Sequence, residues 1–189
     1  MYPRTVPHWI ADVAVTPKDS SFFEKRNPAN DQVIAQVARG GAAEVAQALS
    51  AANGAAEDWA RMPVPKRGAI LGRAAQLLRE REQVFGEIIQ AETGKPWKNA
   101  VAEVASSADL AVFMEGEGSR LYGKTMPSPI ANRSVQTMRS PIGVCAGIMP
   151  FNSPLAGIAW KAFPALLCRS EEHTSELQSR QYLVCRLLL

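Results

Sequence analysis

The stretch from Pro141 to Cys168 constrains what this chain can fold into more than any other. Ile142 to Ile148 is apolar or glycine at every position, the pattern of a β-strand buried on both faces. Pro150 and Pro154 then interrupt the backbone. Leu155, Ile158, Ala159, Ala162 and Phe163 follow at helical spacing. Strand, turn and helix in that order predict an α/β unit, and in such folds ligands bind at the carboxyl end of a strand, where a helix starts. Asn152 stands there as a polar side chain in an otherwise apolar run. A primary amide at that place can donate a hydrogen bond to an oxygen that becomes negative during a reaction. Asparagine is equally suited to cap a helix or fill a turn, so the pattern alone leaves both roles open.

The wording of the stretch is specific. Pro-Ile-Gly-Val-x-x-x-Ile-x-Pro-Phe-Asn-x-Pro-Leu from Pro141, with Ala-Trp-Lys-x-x-Pro-Ala-Leu from Ala159, resembles the NAD(P)-dependent aldehyde dehydrogenase superfamily. The resemblance implies that Asn152 is the oxyanion-hole asparagine. It implies that the backbone of Ile148, Met149, Pro150, Phe151 and Asn152 lies against the nicotinamide half of NAD or NADP. Trp160 matches an aromatic lining the substrate tunnel, and Gly157 a tunnel position that often carries a larger side chain. The fold implied is α/β: the N-terminal part of a Rossmann-like cofactor-binding domain, with an N-terminal hairpin and a four-helix segment, and incomplete as a fold. Residues 1–168 would be that part.

Upstream, the chain is organised by simple signals. Residues 1–18 contain three of the thirteen prolines and little periodicity, which predicts an extended arm. Phe22 to Lys25 and Gln32 to Val37 read as two short strands, with Arg-Asn-Pro-Ala-Asn-Asp as the turn between them. Val45, Leu49, Ala52, Ala56 and Trp59 recur at spacings of 4, 3, 4 and 3, which places them on one helix face. Met62-Pro63-Val64-Pro65 ends that helix. Ile70, Leu71, Ala74, Leu77 and Leu78 mark a second helix, and Val84, Phe85, Ile88 and Ile89 a third. Glu92-Thr93-Gly94-Lys95-Pro96, itself family-like, closes the third helix with Gly near the C-cap and Pro beyond it. A fourth, from about Trp97 to Gly116, follows Val101, Val104, Ala108, Ala111 and Val112. These stripes are read as packing around a cofactor-binding sheet. Gly116-Glu117-Gly118 is no dinucleotide fingerprint: the third glycine is missing, and the stretch ends a helix instead of following a strand. Pro127 to Asn132 reads as a turn-rich loop. Ser134 to Arg139 alternates polar and apolar, as an ordinary edge strand or, by the resemblance, as part of an oligomerisation arm over about 128–141.

Composition excludes several classes. With 47% hydrophobic and 21% charged residues the chain has ample core material. A net charge of +3 without a Lys/Arg stripe gives no footprint for nucleic acid. No apolar run approaches a membrane span, and the N-terminus has no signal-peptide core, so the expectation is a cytoplasmic protein. Cys145, Cys168 and Cys185 are unclustered thiols, which fits a reducing compartment. Cys145, inside the expected strand, and Cys168, near a helix end, read as packing thiols without a histidine partner.

From Arg169 the text changes. Arg-Ser-Glu-Glu-His-Thr from Arg169 resembles an in-frame translation of a sequencing-adapter DNA, AGATCGGAAGAGCACACG. Tyr-Leu-Val-Cys-Arg-Leu-Leu-Leu from Tyr182 resembles TATCTCGTATGCCGTCTTCTGCTT from the same adapter. Residues 169–189 are therefore set aside as a non-native tail, like a fusion scar. Without them His8 is the only histidine, so neither a Ser-His-Asp hydrolase site nor a His-rich metal site has material.

The reaction implied by the resemblance needs a thiolate that attacks an aldehyde carbonyl, a nicotinamide that accepts hydride, and a base that activates water. The family carries the thiol in a Gly-Gln-x-Cys-like string, the base in a Glu-Leu-Gly-Gly-like string, and a ribose-holding Lys-Pro-x-Glu. None of these occurs in residues 1–168. Two readings follow. One is an inactive N-terminal fragment of an aldehyde dehydrogenase whose parent is a homo-oligomer, dimer or tetramer. The other is a non-catalytic α/β binding or assembly module that keeps only the scaffold.

Overall fold

Four helices form where the apolar spacing predicts them: α1 (Ala42–Arg61), α2 (Val64–Glu80), α3 (Glu82–Thr93) and α4 (Trp97–Glu117). The protein is described by a computed structural model covering residues 4–17, 19 and 21–168; the adapter-like segment 169–189 lies outside these described residues. The punctuation read from the sequence is where the helices break. Met62 is extended at the end of α1, and Pro63 leads into α2. Gly94 closes α3 at φ 71, and its N–H donates to the Gln90 carbonyl at 2.8 Å. Pro96, with φ −55, starts α4.

Helix α4 is the centre of the molecule, with α2, α3 and α5 (Pro154–Cys168) packed on it. Ala100, Val104, Ala108 and Ala111 form its buried stripe, against Ala75 and Leu78 of α2 and Ile89 of α3. Phe85, Leu155 and Phe163 close over this cluster. Full burial of each Leu, Ile or Val here contributes about 1.5–3 kcal/mol. The α2–α4 crossing is close because Gly68 lacks a side chain: a Cβ there would lie 2.9 Å from the Glu115 carbonyl oxygen.

The expected stripes need adjustment on all four helices; on α3 and α4, Val84 and Val112 are exposed. On α2 the buried face is Arg67, Gly68, Leu71, Gly72, Ala75 and Leu78, while Ile70 is exposed. On α1 only Ala48 and Ala52 are buried, and Val45 and Leu49 face outward. Helix α1 touches β2 (His8–Ile10) and reaches α5 through Trp59, but no described element covers its outer half.

The N-terminal strands carry one correction. As expected, β4 (Phe22–Arg26) and β5 (Val33–Ala38) form an antiparallel hairpin, with β1 (Thr5–Val6) added parallel to β5. The expected extended arm, however, contains a hairpin of β2 with β3 (Val13–Val15). Its turn residues Ala11 and Asp12 both have positive φ, 52° and 60°. Asn-Gly or Asp-Gly is the usual signature of such a turn, and Ala-Asp is not, so the sequence carried little sign of it. Further on, β6 (Thr125–Pro127) pairs with β7 (Ser134–Gln136), and all six of their residues are exposed.

The larger correction concerns residues 142–148, which form no strand. Ile142 is 65% and Ile148 47% exposed. A strand exists only where a neighbour takes its N–H and C=O groups, and among the described residues none runs beside this segment. Cys145 consequently sits half-buried in an irregular segment, its Sγ donating to the Gly143 carbonyl at 3.5 Å. The fold remains mixed α/β, with five helices and three small sheets among the described residues. None of these helices is long and apolar enough to cross a membrane.

Candidate functional site

Helix α5 starts at Pro154, as the apolar run from Leu155 predicts, and residues 148–153 lead into it as an irregular turn. Ile148, Phe151 and Asn152 are exposed and Met149 half-buried, so the segment presents an open apolar wall ending in a carboxamide. Gly157 lies against the turn: a Cβ there would meet Pro150 Cδ at 3.6 Å and Met149 Cβ at 3.7 Å, ordinary contact distances. A larger residue therefore begins without strain at this position. Trp160, three residues further along the same helix, is 62% exposed.

The start of α5 is held by Glu103 of α4 and by Lys95 in the connection between α3 and α4. Leu155 and Ala156 donate their N–H groups to Glu103 Oε1 at 2.9 and 3.1 Å, and Gly157 donates to the Ser153 carbonyl at 2.7 Å. Pro154 has no N–H. The orphan donors that every helix start carries are thus satisfied without Asn152. The other oxygen, Glu103 Oε2, pairs with Lys95 Nζ, which also donates to the Asn152 carbonyl at 2.9 Å. Asn152 is therefore held through its backbone. Among the described residues its side-chain amide makes no hydrogen bond. Of the two roles open at the sequence level, the cap is performed by Glu103.

Glu103 is only 7% exposed and both of its carboxylate oxygens are occupied, so it is not placed to take a proton from substrate or water. Lys95 supplies the balancing charge that a buried carboxylate requires. An acidic group at the positive end of the helix dipole is also favourable in itself.

The far end of α5 is gripped in the same manner. Trp59 Nε1 donates to the Leu166 carbonyl at 2.9 Å, and Arg67 Nε to the Leu167 carbonyl at 3.0 Å. Arg67 also donates to the Met62 carbonyl, joining the end of α5 to the α1–α2 junction. A carboxylate at one end and a guanidinium at the other complement the helix dipole along its whole length.

Sequence reasoning missed Lys95, Glu103 and Arg67 as site-building residues. The signal was present: Glu103 falls on the buried α4 face next to Val104, and Arg67 on the α2 face with Leu71. A charge at a core position implies a partner, although the pattern does not say which. Asp19 and Arg26, in the N-terminal part of the chain, have shifted pKa values. Hydrogen bonds from Ser21 lower Asp19, and Glu24, then Asp31, raise Arg26. Among the described residues no group of three His, Cys, Asp or Glu side chains could hold a metal.

Comparison with known proteins adds the following. Residues 15–171 match the aldehyde dehydrogenase family. The chain is similar to a mitochondrial succinate-semialdehyde dehydrogenase from Arabidopsis thaliana, with 34% identity over 148 residues, covering 78% of this chain and 28% of that protein. Its fold superposes on an NADP-dependent enzyme of Escherichia coli with a TM-score of 0.83 and 31% identity, covering 86% of this chain and 34% of the other. A betaine aldehyde dehydrogenase from Staphylococcus aureus, in complex with NAD+, gives a TM-score of 0.81 at 25% identity, covering 86% of this chain and 33% of its own. The chain thus spans about a third of the length of the relatives it matches.

Proposed function

Because the chain belongs to the aldehyde dehydrogenase family, we propose that it is the N-terminal part of an enzyme that oxidises an aldehyde to a carboxylic acid with NAD or NADP. The observation that carries this reading is the Asn152 amide. It stands exposed at the start of α5, on a backbone held by Lys95, and the cap position is already filled by Glu103. A donor on a fixed backbone whose amide is not already spent on a cap is what a developing oxyanion needs. Ile148 to Asn152 form the wall toward the nicotinamide, which when bound supplies the hydride acceptor. Gly157 and Trp160 line the approach of the aldehyde.

The fragment itself is inactive on this reading, since residues 1–168 contain no family-like thiol or base string. Residues 169–189 are adapter-derived text and not part of the enzyme. The parent is a cytoplasmic homo-oligomer, with about 128–141 as its assembly arm. Strand β7, wholly exposed and including Val135, supports that arm, and β6 just before the arm pairs with it. Reading the source locus beyond the codon for Cys168 tests the proposal. A continuing frame with Lys-Pro-x-Glu, Glu-Leu-Gly-Gly and Gly-Gln-x-Cys elements, whose product reduces NAD or NADP with an aldehyde, is the expected result. A genuine stop codon there would overturn it in favour of a non-catalytic module.

A further inference from the structure

Glu103 and Lys95 form a clamp around the turn that carries Asn152. The Lys95 ammonium binds the carbonyl of Asn152 itself, and the Glu103 carboxylate binds the N–H groups of Leu155 and Ala156. The two side chains are also paired with each other, so the three attachments form one connected unit. It spans Asn152 to Ala156 and anchors that segment to the central helix α4. Between the attachments lie only Ser153 and Pro154, and Pro154 has a fixed φ. The backbone that aims the Asn152 amide is thereby restrained on its C-terminal side by side chains more than fifty positions earlier in the chain.

We infer that Glu103 and Lys95 are positioning residues for the oxyanion donor, and that Lys95 additionally keeps the Glu103 charge from opposing the oxyanion. The inference rests on the reading of Asn152 given above. Glu103 touches neither substrate nor cofactor on this reading. Its effect passes through the direction of the Asn152 amide, and small misplacements of such a group lower rate far more than they lower binding. The two residues are not equivalent. Loss of Glu103 releases the helix start, whereas loss of Lys95 leaves a buried carboxylate uncompensated beside the place where negative charge develops.

The test uses the complete enzyme encoded by the source locus. It measures kcat, the KM for the cofactor and the thermal midpoint for Asn152→Ala, Glu103→Ala, Glu103→Gln, Lys95→Met and the Lys95→Met/Glu103→Gln double variant. Asn152→Ala sets the scale, with kcat lowered by about 10²- to 10³-fold. Glu103→Ala is expected to lower kcat by up to about 10²-fold with little change in the cofactor KM. Glu103→Gln, which keeps an oxygen for Leu155 and Ala156, should recover most of that loss. Lys95→Met should lower kcat more than Glu103→Gln does, and the double variant should be faster than Lys95→Met alone, because the uncompensated charge is gone. Should Glu103→Ala fail to fold, the Lys95→Met and double-variant comparison decides. If Asn152→Ala lowers kcat while Glu103→Gln and Lys95→Met leave it at the wild-type value, the positioning role is overturned and the oxyanion reading stands. If Asn152→Ala leaves kcat unchanged, the oxyanion reading falls and this inference with it. A double variant slower than Lys95→Met would overturn the charge-balancing role.

Discussion

Arg67 donates from Nε to the backbone carbonyl of Leu167 at 3.0 Å, tying α2 to the end of α5 across a separation of 100 residues. With Arg67 only 1% exposed, this guanidinium spends its buried donors on carbonyls that a helix end would otherwise leave open. It fixes the far end of the element whose near end carries Asn152.

Arg67→Met should therefore destabilise the chain strongly despite similar volume. It strips donors from the Leu167 and Met62 carbonyls, each loss costing about 1–3 kcal/mol. Arg67→Lys should rescue little, since an ammonium cannot reproduce the planar fork. Urea unfolding measures both; midpoints equal to wild type would show that the bonds contribute nothing net.

Gly94→Ala should also destabilise. The left-handed conformation at φ 71 costs an L-residue about 1–2 kcal/mol, and the new Cβ would lie 2.9 Å from Pro28 Cγ. Thermal unfolding should show a lowered midpoint, while the helix content of the folded state stays the same.

Asn152→Ala in the complete enzyme should separate rate from stability. We expect kcat to fall by about 10²- to 10³-fold, equivalent to roughly 3–4 kcal/mol. The melting temperature should hardly move, because Glu103 performs the capping. Asn152→Asp should be slower still, since a carboxylate repels the oxyanion. A lowered melting temperature with wild-type turnover would end the oxyanion role.

The 189-residue chain as it stands should not oxidise aldehydes. Incubation with an aldehyde and NAD or NADP should give no absorbance from reduced nicotinamide above a protein-free control. Turnover above that control would show that a thiol and base other than the expected ones are present.

Removing residues 169–189 should leave the unfolding midpoint of residues 1–168 unchanged. On the proposed adapter origin, this segment was never selected to complement the core. A lowered midpoint on truncation would count against the adapter origin.

What the sequence determined by itself was whatever depends on neighbours along the chain. The breaks at Pro63, Gly94 and Pro96 and the β4–β5 hairpin follow from residues a few positions apart, because helix periodicity and turn chemistry are local. The start of α5 at Pro154 and the place of Asn152 in the turn before it were legible for the same reason. Tertiary structure decided everything that needed a distant partner. Residues 142–148 have strand composition but no neighbour among the described residues, so their pattern alone could not make them a strand. Val45 and Leu49 lie on a predicted apolar face that no described element covers. The grip on α5 comes from Glu103, more than fifty residues before Leu155, and from Arg67, still further away. A charged residue on a buried face announces that it has a partner; only the packing of α2, α4 and α5 decides that the partner is the end of a helix.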